Sequence, residues 1–328
     1  MAEQQKRILI TGASGCVGQY LAETLIRQTT HELFLLVRDP KKLLIDTQAR
    51  SGITVIPGNL REIDALSGLL QTINTAVLTA TVWGGDDIYD INVGKTLELL
   101  SLLDPAVCEQ VLYFSTESIL GRDNTLLPEA LEFGTPYIRS KYLCHQKIQT
   151  LAIAPKVTTL FPTLVFGGDD RKPYSQISAG LADVMKWMPL VRFFQADGSF
   201  HFTHAQDIAT VVAHLVDHPP ALGESRTLVL GNPAMHVNQA VEDICAYLNQ
   251  RIYFRIPVSL QLADVLIKLF NVQVSDWDRF CLRYRHFTHA DSVTPATFGL
   301  PVYCPTIADL LQVSGITPHP VSKALVSS

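Results

Sequence analysis

The chain has 328 residues, of which 47% are apolar and 17% charged, enough length for about two domains and too apolar for an intrinsically disordered segment. Twenty-six basic residues against 31 acidic ones leave a formal charge of −5, unlike the basic chains that bind nucleic acid. Mean hydropathy is +0.19, yet no uninterrupted apolar run approaches the ~18–20 residues that cross a bilayer. The opening MAEQQKR lacks the apolar stretch of a secretory signal. Cys16, Cys108, Cys144, Cys245, Cys281 and Cys304 are scattered without CxxC spacing, so they are expected as free, mostly buried thiols in a reducing compartment, the cytoplasm.

In chain order, the apolar run at 8–10 ends at Thr11 and Gly12, and Val17, Leu21 and Leu25 follow at helical spacing. Further buried strands are expected at 33–37, 54–56, 76–78, 111–114 and 157–161, with a helix at 91–103. Strands alternating with helices imply βαβ units and a mostly parallel sheet. Beyond Gly167 the alternation breaks. Helices are expected at 208–216, 241–248 and 259–270, and a strand at 227–230. The predicted fold class is α/β: a doubly wound Rossmann sheet over 1–167, with 203–217 returning to it, and a smaller α/β substrate domain at 168–328.

Residues 11–18, Thr-Gly-Ala-Ser-Gly-Cys-Val-Gly, join the first strand to the first helix. Gly12 permits the tight turn, Gly15 lets backbone approach a pyrophosphate, and Gly18 allows helix and strand to pack closely. The loop, including Ser14, and the helix start at Cys16 and Val17 form the candidate dinucleotide cradle, because free N–H groups at a helix N-terminus attract phosphate. About 20 residues on, Arg38 ends the second strand, with Asp39 beside it and Lys41 and Lys42 behind. A guanidinium there grips a ribose 2′-phosphate, whereas an acid accepts from the free 2′-OH. Arg38 therefore favours NADP(H), and Asp39 keeps NAD(H) open.

Tyr137 and Lys141 stand four apart, on one helix face. A nearby ammonium lowers the pKa of a phenol, ordinarily about 10, and so suits it to acid–base work near neutrality. Ser115, Thr116 and Ser118 follow the fifth strand, where a hydroxyl can orient a carbonyl and stabilise developing charge.

Together these motifs resemble the extended branch of the short-chain dehydrogenase/reductase superfamily, the branch of the NAD(P)-dependent epimerases and dehydratases. Residues 11–18 match its TGxxGxxG spacing and Tyr137 and Lys141 its YxxxK motif. Residues 92–96 are similar to its NVxGT segment and residues 161–167 to its RPxxVxG segment. The resemblance implies that Tyr137 exchanges the proton, Lys141 tunes it and holds the cofactor ribose, and Thr116, five residues before Gly121, orients the carbonyl. Ser115 is the second choice for that hydroxyl, and Asn92 would support the site through a polar link to Lys141. Asn59 and Leu60, where the family often has Gly-Asp-Leu, are implied as cofactor contacts, with Ala80 and with Pro162 and Val165 beside the nicotinamide.

Phe161 and Phe200 replace arginines that sugar-nucleotide enzymes of this branch carry against a diphosphate. The LVRDP and FPTLVFG segments look more like NADPH-dependent reductases of the dihydroflavonol-4-reductase type. The expected function is hydride transfer between NADP(H) and a carbonyl or secondary alcohol of a small, apolar or non-nucleotide substrate. The alternatives are a sugar-nucleotide epimerase or dehydratase that retains its cofactor, and a non-catalytic scaffold, assembly factor or redox sensor. Trp187, Met188, Phe193, Phe194, Trp277, Phe280 and Tyr284 are candidates for an apolar pocket or for plain core. His286 and His289 stand three apart without carboxylate or cysteine company at metal-ligand spacing, so no metal site is expected. The helix at 259–270, with Lys268 alone among its cations, is expected to pack rather than to lie on a membrane. No nucleic-acid partner is expected, and a homodimer through the helices at 91–103 and around Tyr137 fits the superfamily.

Overall fold

The computed structural model describes residues 5–221, 224, 226–262, 273–318 and 320. The first half runs β1 (Arg7–Thr11), α1 (Cys16–Gln28), β2 (Glu32–Val37), β3 (Ile53–Pro57), α2 (Ser67–Leu70), β4 (Thr75–Leu78), α3 (Thr96–Leu102), β5 (Gln110–Phe114), α4 (Pro128–Glu132), α5 (Pro136–Ile148) and β6 (Val157–Pro162). The second half runs β7 (Leu164–Phe166), α6 (Gln176–Val191), β8 (Phe194–Gln195), β9 (Ser199–Phe200), β10 (Phe202–His204), α7 (Ala205–Asp217), β11 (Thr227–Leu230), β12 (Met235–His236), α8 (Val237–Tyr247), β13 (Ile256–Pro257) and α9 (Asp276–Tyr284).

Seven parallel strands form the central sheet, in the order β11-β6-β5-β4-β1-β2-β3. Every residue of β4 and β5 is buried, as expected of parallel strands covered on both faces. On one face Leu21 and Leu25 of α1 and Val212 and Leu215 of α7 pack over Ile8, Ile10, Leu33 and Leu35. On the other, Leu99 and Leu100 of α3 and Cys144 and Ile148 of α5 pack over Leu9, Ala76 and Val111. Each fully buried leucine contributes about 1.5–3 kcal/mol of transfer free energy, so the apolar spacing that the sequence shows is also what clamps the helices to the sheet.

The order in which strands are added reverses at β1, while all strands stay parallel. β2 and β3 lie on one side, and β4, β5, β6 and β11 on the other, which places the crevice of a doubly wound fold at the carboxyl ends of β1 and β4. The sequence reading put residues 227–230 in the second domain. The structure instead adds them to the sheet as β11, with Thr227 opposite Thr159 and Leu230 opposite Pro162. Pairing there covers backbone groups that β6 would otherwise present at an open edge. The helix expected at 91–103 opens as a wider π-turn over Asp90–Lys95 before α3. The expected helix at 259–270 falls largely outside the described residues, Leu266, Lys268, Leu269 and Phe270 included. Among the described residues no helix is long and apolar enough to cross a membrane.

Candidate active site

The glycine loop fills the crevice at β1. Gly12 has φ +68°, and a Cβ there would lie 2.7 Å from the Ala80 backbone nitrogen. That nitrogen donates to the Thr11 hydroxyl at 3.3 Å, and the Thr79 hydroxyl donates to the Thr11 carbonyl at 2.6 Å, so Ala80 sits directly over the turn. A Cβ on Gly18 would collide with the Gly12 carbonyl oxygen. Gly15 is exposed and begins α1, whose first turn, among the described residues, has neither a side-chain cap nor an acid. A cradle that side chains cannot enter, ending at an uncapped helix N-terminus, fits the pyrophosphate of a dinucleotide. The loop after β7 is tied to α1, the Gly168 backbone N donating to the Tyr20 hydroxyl at 3.2 Å. Cys16 is packed beneath, and burial pushes its thiol up to about 12, so it stays protonated.

Tyr137 and Lys141 are set by the start of α5. The Thr135 hydroxyl accepts from Ile138 N and Pro136 occupies the first turn, which puts Tyr137 at the sheet's carboxyl edge and Lys141 one turn on. The Tyr137 phenol faces the Thr116 side chain, which comes from the loop after β5. Burial nevertheless holds the phenol well above its usual range, with Thr116 opposing. Lys141 is buried too, and desolvation brings its ammonium down to about 8. Its Nζ donates to the Phe114 carbonyl at 2.8 Å and lies 5.2 Å from the centre of the Tyr113 ring. The expected lowering of the phenol by the ammonium is therefore not the dominant effect. A desolvated ammonium takes the strong acceptor at the end of β5, and burial governs Tyr137.

Thr116 caps the short turn Glu117–Ile119, accepting from Ser118 N at 3.3 Å. The adjacent Ser115 hydroxyl is buried and, among the described residues, has no hydrogen-bond partner. Asn92 departs from expectation. Its Oδ1 accepts from Val82 N at 2.9 Å and from the Thr81 hydroxyl at 3.1 Å, and its Nδ2 donates to the Val82 carbonyl at 2.9 Å and to Ser140 Oγ at 3.0 Å. Ser140 in turn donates to the Tyr137 carbonyl at 2.7 Å. The amide reaches α5 through Ser140 rather than Lys141, because the π-turn aims it at the loop after β4.

At the end of β2, Arg38 is exposed, while the Asp39 carboxylate accepts from Lys41 N at 3.0 Å. The Asn59 side-chain oxygen, expected to accept from adenine, already accepts from Arg61 N at 3.2 Å and caps the turn that begins at Leu60. Pro162 ends β6, and Val165 lies opposite Thr203 and packs on the α1 side of the core. Phe161 is fully buried with its ring 5.3 Å from that of His145, and Phe200 pairs with Met235. Phe161 is thus part of the core, while Phe200 is half-buried on its short strand.

Trp277, Phe280 and Tyr284 of α9 join Tyr137, Ile138 and Tyr142 in one apolar cluster. Met188 lies in a separate cluster with Val241 and Leu248, Phe193 stacks on Phe254, Phe194 pairs in a short ladder with Ile256, and Trp187 is exposed. The seven aromatic and apolar candidates thus do not form one pocket. Two features escaped the sequence reading. Trp83, in the glycine-containing loop after β4, stacks on Tyr137; an aromatic at the carboxyl end of a strand was the available signal. His289 does have carboxylate company, 3.1 Å from Glu117, which no local spacing could indicate. Among the described residues no group of three or more metal-ligating side chains occurs.

The fold and the glycine cradle define a Rossmann-type dinucleotide-binding enzyme. Residues 8–231 match the NAD dependent epimerase/dehydratase family. The uncharacterized UDP-glucose epimerase YtcB of Bacillus subtilis is 24% identical over 67% of this chain and 75% of its own length. A 3 beta-hydroxysteroid dehydrogenase/Delta 5-->4-isomerase of Mycobacterium tuberculosis is 25% identical over 67% of this chain, and the match spans 63% of that relative. Among solved structures, a dTDP-glucose 4,6-dehydratase from Bacillus anthracis in complex with NAD superposes with a TM-score of 0.63 at 14% identity, covering 95% of this chain and 96% of that one. The chain belongs to the NAD dependent epimerase/dehydratase family, and so to the NAD(P)-dependent enzymes of the extended short-chain dehydrogenase/reductase type.

Proposed function

We propose that the protein is an NADP(H)-dependent oxidoreductase acting on a carbonyl or secondary alcohol of a small, apolar, non-nucleotide substrate. The observation that carries this reading is that Tyr137 of α5 and Thr116 of the loop after β5 face one another at the carboxyl edge of the sheet that bears the glycine cradle. The cofactor, when bound, supplies or accepts the hydride. Gly12, Gly15, Gly18 and the start of α1 would hold its pyrophosphate, with Ala80, Pro162 and Val165 along the same crevice. Thr116 orients the substrate oxygen, with Ser115 next to it, and Tyr137 gives or takes the proton at that oxygen. Lys141 holds positive charge behind the site. Arg38 is assigned to a 2′-phosphate because Asp39 is engaged by its own turn. Residues 168–328, less 203–217 and β11, are assigned to the substrate side. Phe161 and Phe200, together with the LVRDP and FPTLVFG segments, favour a reductase acting on an apolar substrate.

The relatives favour a second reading, an epimerase or dehydratase that retains its cofactor through a redox cycle. Stoichiometric oxidation of added NADPH separates the two, because a retained cofactor gives no net turnover. Tyr137→Phe is expected to lower turnover by about 10²–10⁴-fold, the range of a lost acid–base group, while leaving cofactor binding intact. Undiminished turnover in that variant would remove the phenol from the chemistry.

A further inference from the structure

We infer that Trp83 is the specificity-determining wall of the substrate site and that it selects an uncharged carbonyl compound with a flat apolar body. The inference rests on the oxidoreductase reading for where the reacting carbonyl lies, at Tyr137 and Thr116.

The indole of Trp83 stacks on the phenol ring of Tyr137, centroids 3.9 Å apart and planes inclined by 26°. Tyr137 is buried, but Trp83 is 53% exposed. One side of the indole is therefore engaged by the phenol, and much of the rest faces an open recess lined by Gly85, Asp86, Ile88, Tyr89 and Pro136. Among the described residues, the lining holds no lysine or arginine. Its one charged side chain, Asp86, is a carboxylate, which repels a phosphate or diphosphate. The neighbouring Asp87 is paired with Arg61, so that cation is already engaged.

The stack is held by its stem. Asn92, 1% exposed, bonds both backbone polar groups of Val82, the residue before Trp83, and the same amide bonds Ser140 on the helix that carries Tyr137. One buried side chain thus ties the backbone under the indole to the backbone under the phenol. On the far side there is open space: a Cβ added at Gly84 or Gly85 would meet nothing within 4 Å, and Gly85 has φ +90°. The indole is anchored from behind and open in front. A substrate whose oxygen is at Tyr137 and Thr116 must leave its body along this wall. A flat π-system continues the stack there, whereas a puckered ring of equal carbon count touches it at few atoms.

The test pairs 2-naphthaldehyde with its fully saturated decalin counterpart. Affinities are measured by calorimetry on the NADPH-loaded Tyr137→Phe protein, which keeps the aromatic ring, with and without Trp83→Ala or Trp83→Phe. KM and kcat are measured for the same Trp83 substitutions with Tyr137 present, and thermal denaturation checks that each variant is folded. Trp83→Ala is expected to weaken naphthaldehyde about three- to tenfold in Kd and KM, the scale of one aromatic pair. The decalin aldehyde should change less than twofold, kcat should hold, and Trp83→Phe should restore most of the loss. Equal losses for both aldehydes, no loss, no measurable naphthaldehyde binding, or tighter binding in Trp83→Ala each overturn the inference, the last by making the indole a cover. Trp83-dependent binding without reduction of either aldehyde would sink the redox reading and keep the wall. Reduction of both, indifferent to Trp83, would do the reverse.

Discussion

The Glu117 carboxylate and the His289 imidazole stand 3.1 Å apart, both buried, and join residues 172 positions apart in the chain. Glu117 follows Thr116 in the loop after β5. His289 Nδ1 donates to the Gly121 carbonyl at 3.2 Å, and its backbone N donates to His201 Nε2 at 3.0 Å. His201 Nδ1 donates to the Asn232 carbonyl at 2.7 Å, so its tautomer is set. The loop that presents the Thr116 hydroxyl is thereby fastened to the C-terminal segment. Burial raises the Glu117 carboxyl, and the His289 bond opposes that shift.

Removing one partner of this pair strands the other in a dry site. His289→Phe is expected to destabilise the fold by about 3–5 kcal/mol, the scale of a broken buried pair. Glu117→Gln keeps a side chain that can hydrogen-bond His289 and should cost less. Urea denaturation of the two variants checks this, and similar losses in both would show that charge rather than the hydrogen bond holds the loop.

Gly18→Ala should fold poorly or lose the cofactor, because its Cβ has no place beside the Gly12 carbonyl. Gly84→Ala, with open space around it, is the control and should be tolerated. Thermal denaturation with and without NADPH checks both. A Gly18→Ala protein with native stability and cofactor-induced stabilisation would contradict the close packing described for the loop.

Arg38→Ala should weaken NADPH by about ten- to a hundredfold, the scale of a charge-assisted hydrogen bond. NADH, without the 2′-phosphate, should be nearly unaffected. Fluorescence titration of both cofactors separates the outcomes. Equal weakening, or a wild type that prefers NADH, would return the ribose to Asp39.

His204 caps α7 by accepting from Gln206 N at 3.1 Å, which requires an unprotonated Nδ1. Burial holds its pKa at about 4, below the ordinary 6.5. Between pH 6.5 and 4 the unfolded chain binds a proton that the folded chain does not, so this residue's contribution to stability is lost as pH falls through that window. His204→Asn keeps a capping oxygen and lacks the titration. Its Tm should therefore fall less than that of the wild type between pH 7 and 5, and parallel curves would show that other groups govern the acid limb.

Much of the scaffold was legible in the amino-acid order because its causes are local. Runs of apolar residues with period-2 or period-3.6 spacing specify strand or helix wherever they sit, so β1, β2, β4, β5, β6 and α7 were found at or near their observed limits. The tight turn at Gly12 was legible for the same reason, since a backbone torsion and a missing Cβ are properties of a few consecutive residues. The helix at 91–103 was recognised, but its π-turn was not, because the periodicity of six residues does not distinguish the two windings.

Sequence by itself therefore determined the sheet's strands, the glycine cradle, and the shared helix face of Tyr137 and Lys141. Tertiary structure alone decided which partner each polar group meets: Lys141 with the Phe114 carbonyl, Asn92 with Val82 and Ser140, Tyr137 between Thr116 and Trp83, Glu117 with His289, and β11 with β6. The physical reason is range. Backbone sterics and apolar periodicity act over neighbouring residues, whereas a buried donor or acceptor must be satisfied by whatever the closed chain brings within about 3 Å, and that is settled only when distant segments fold together.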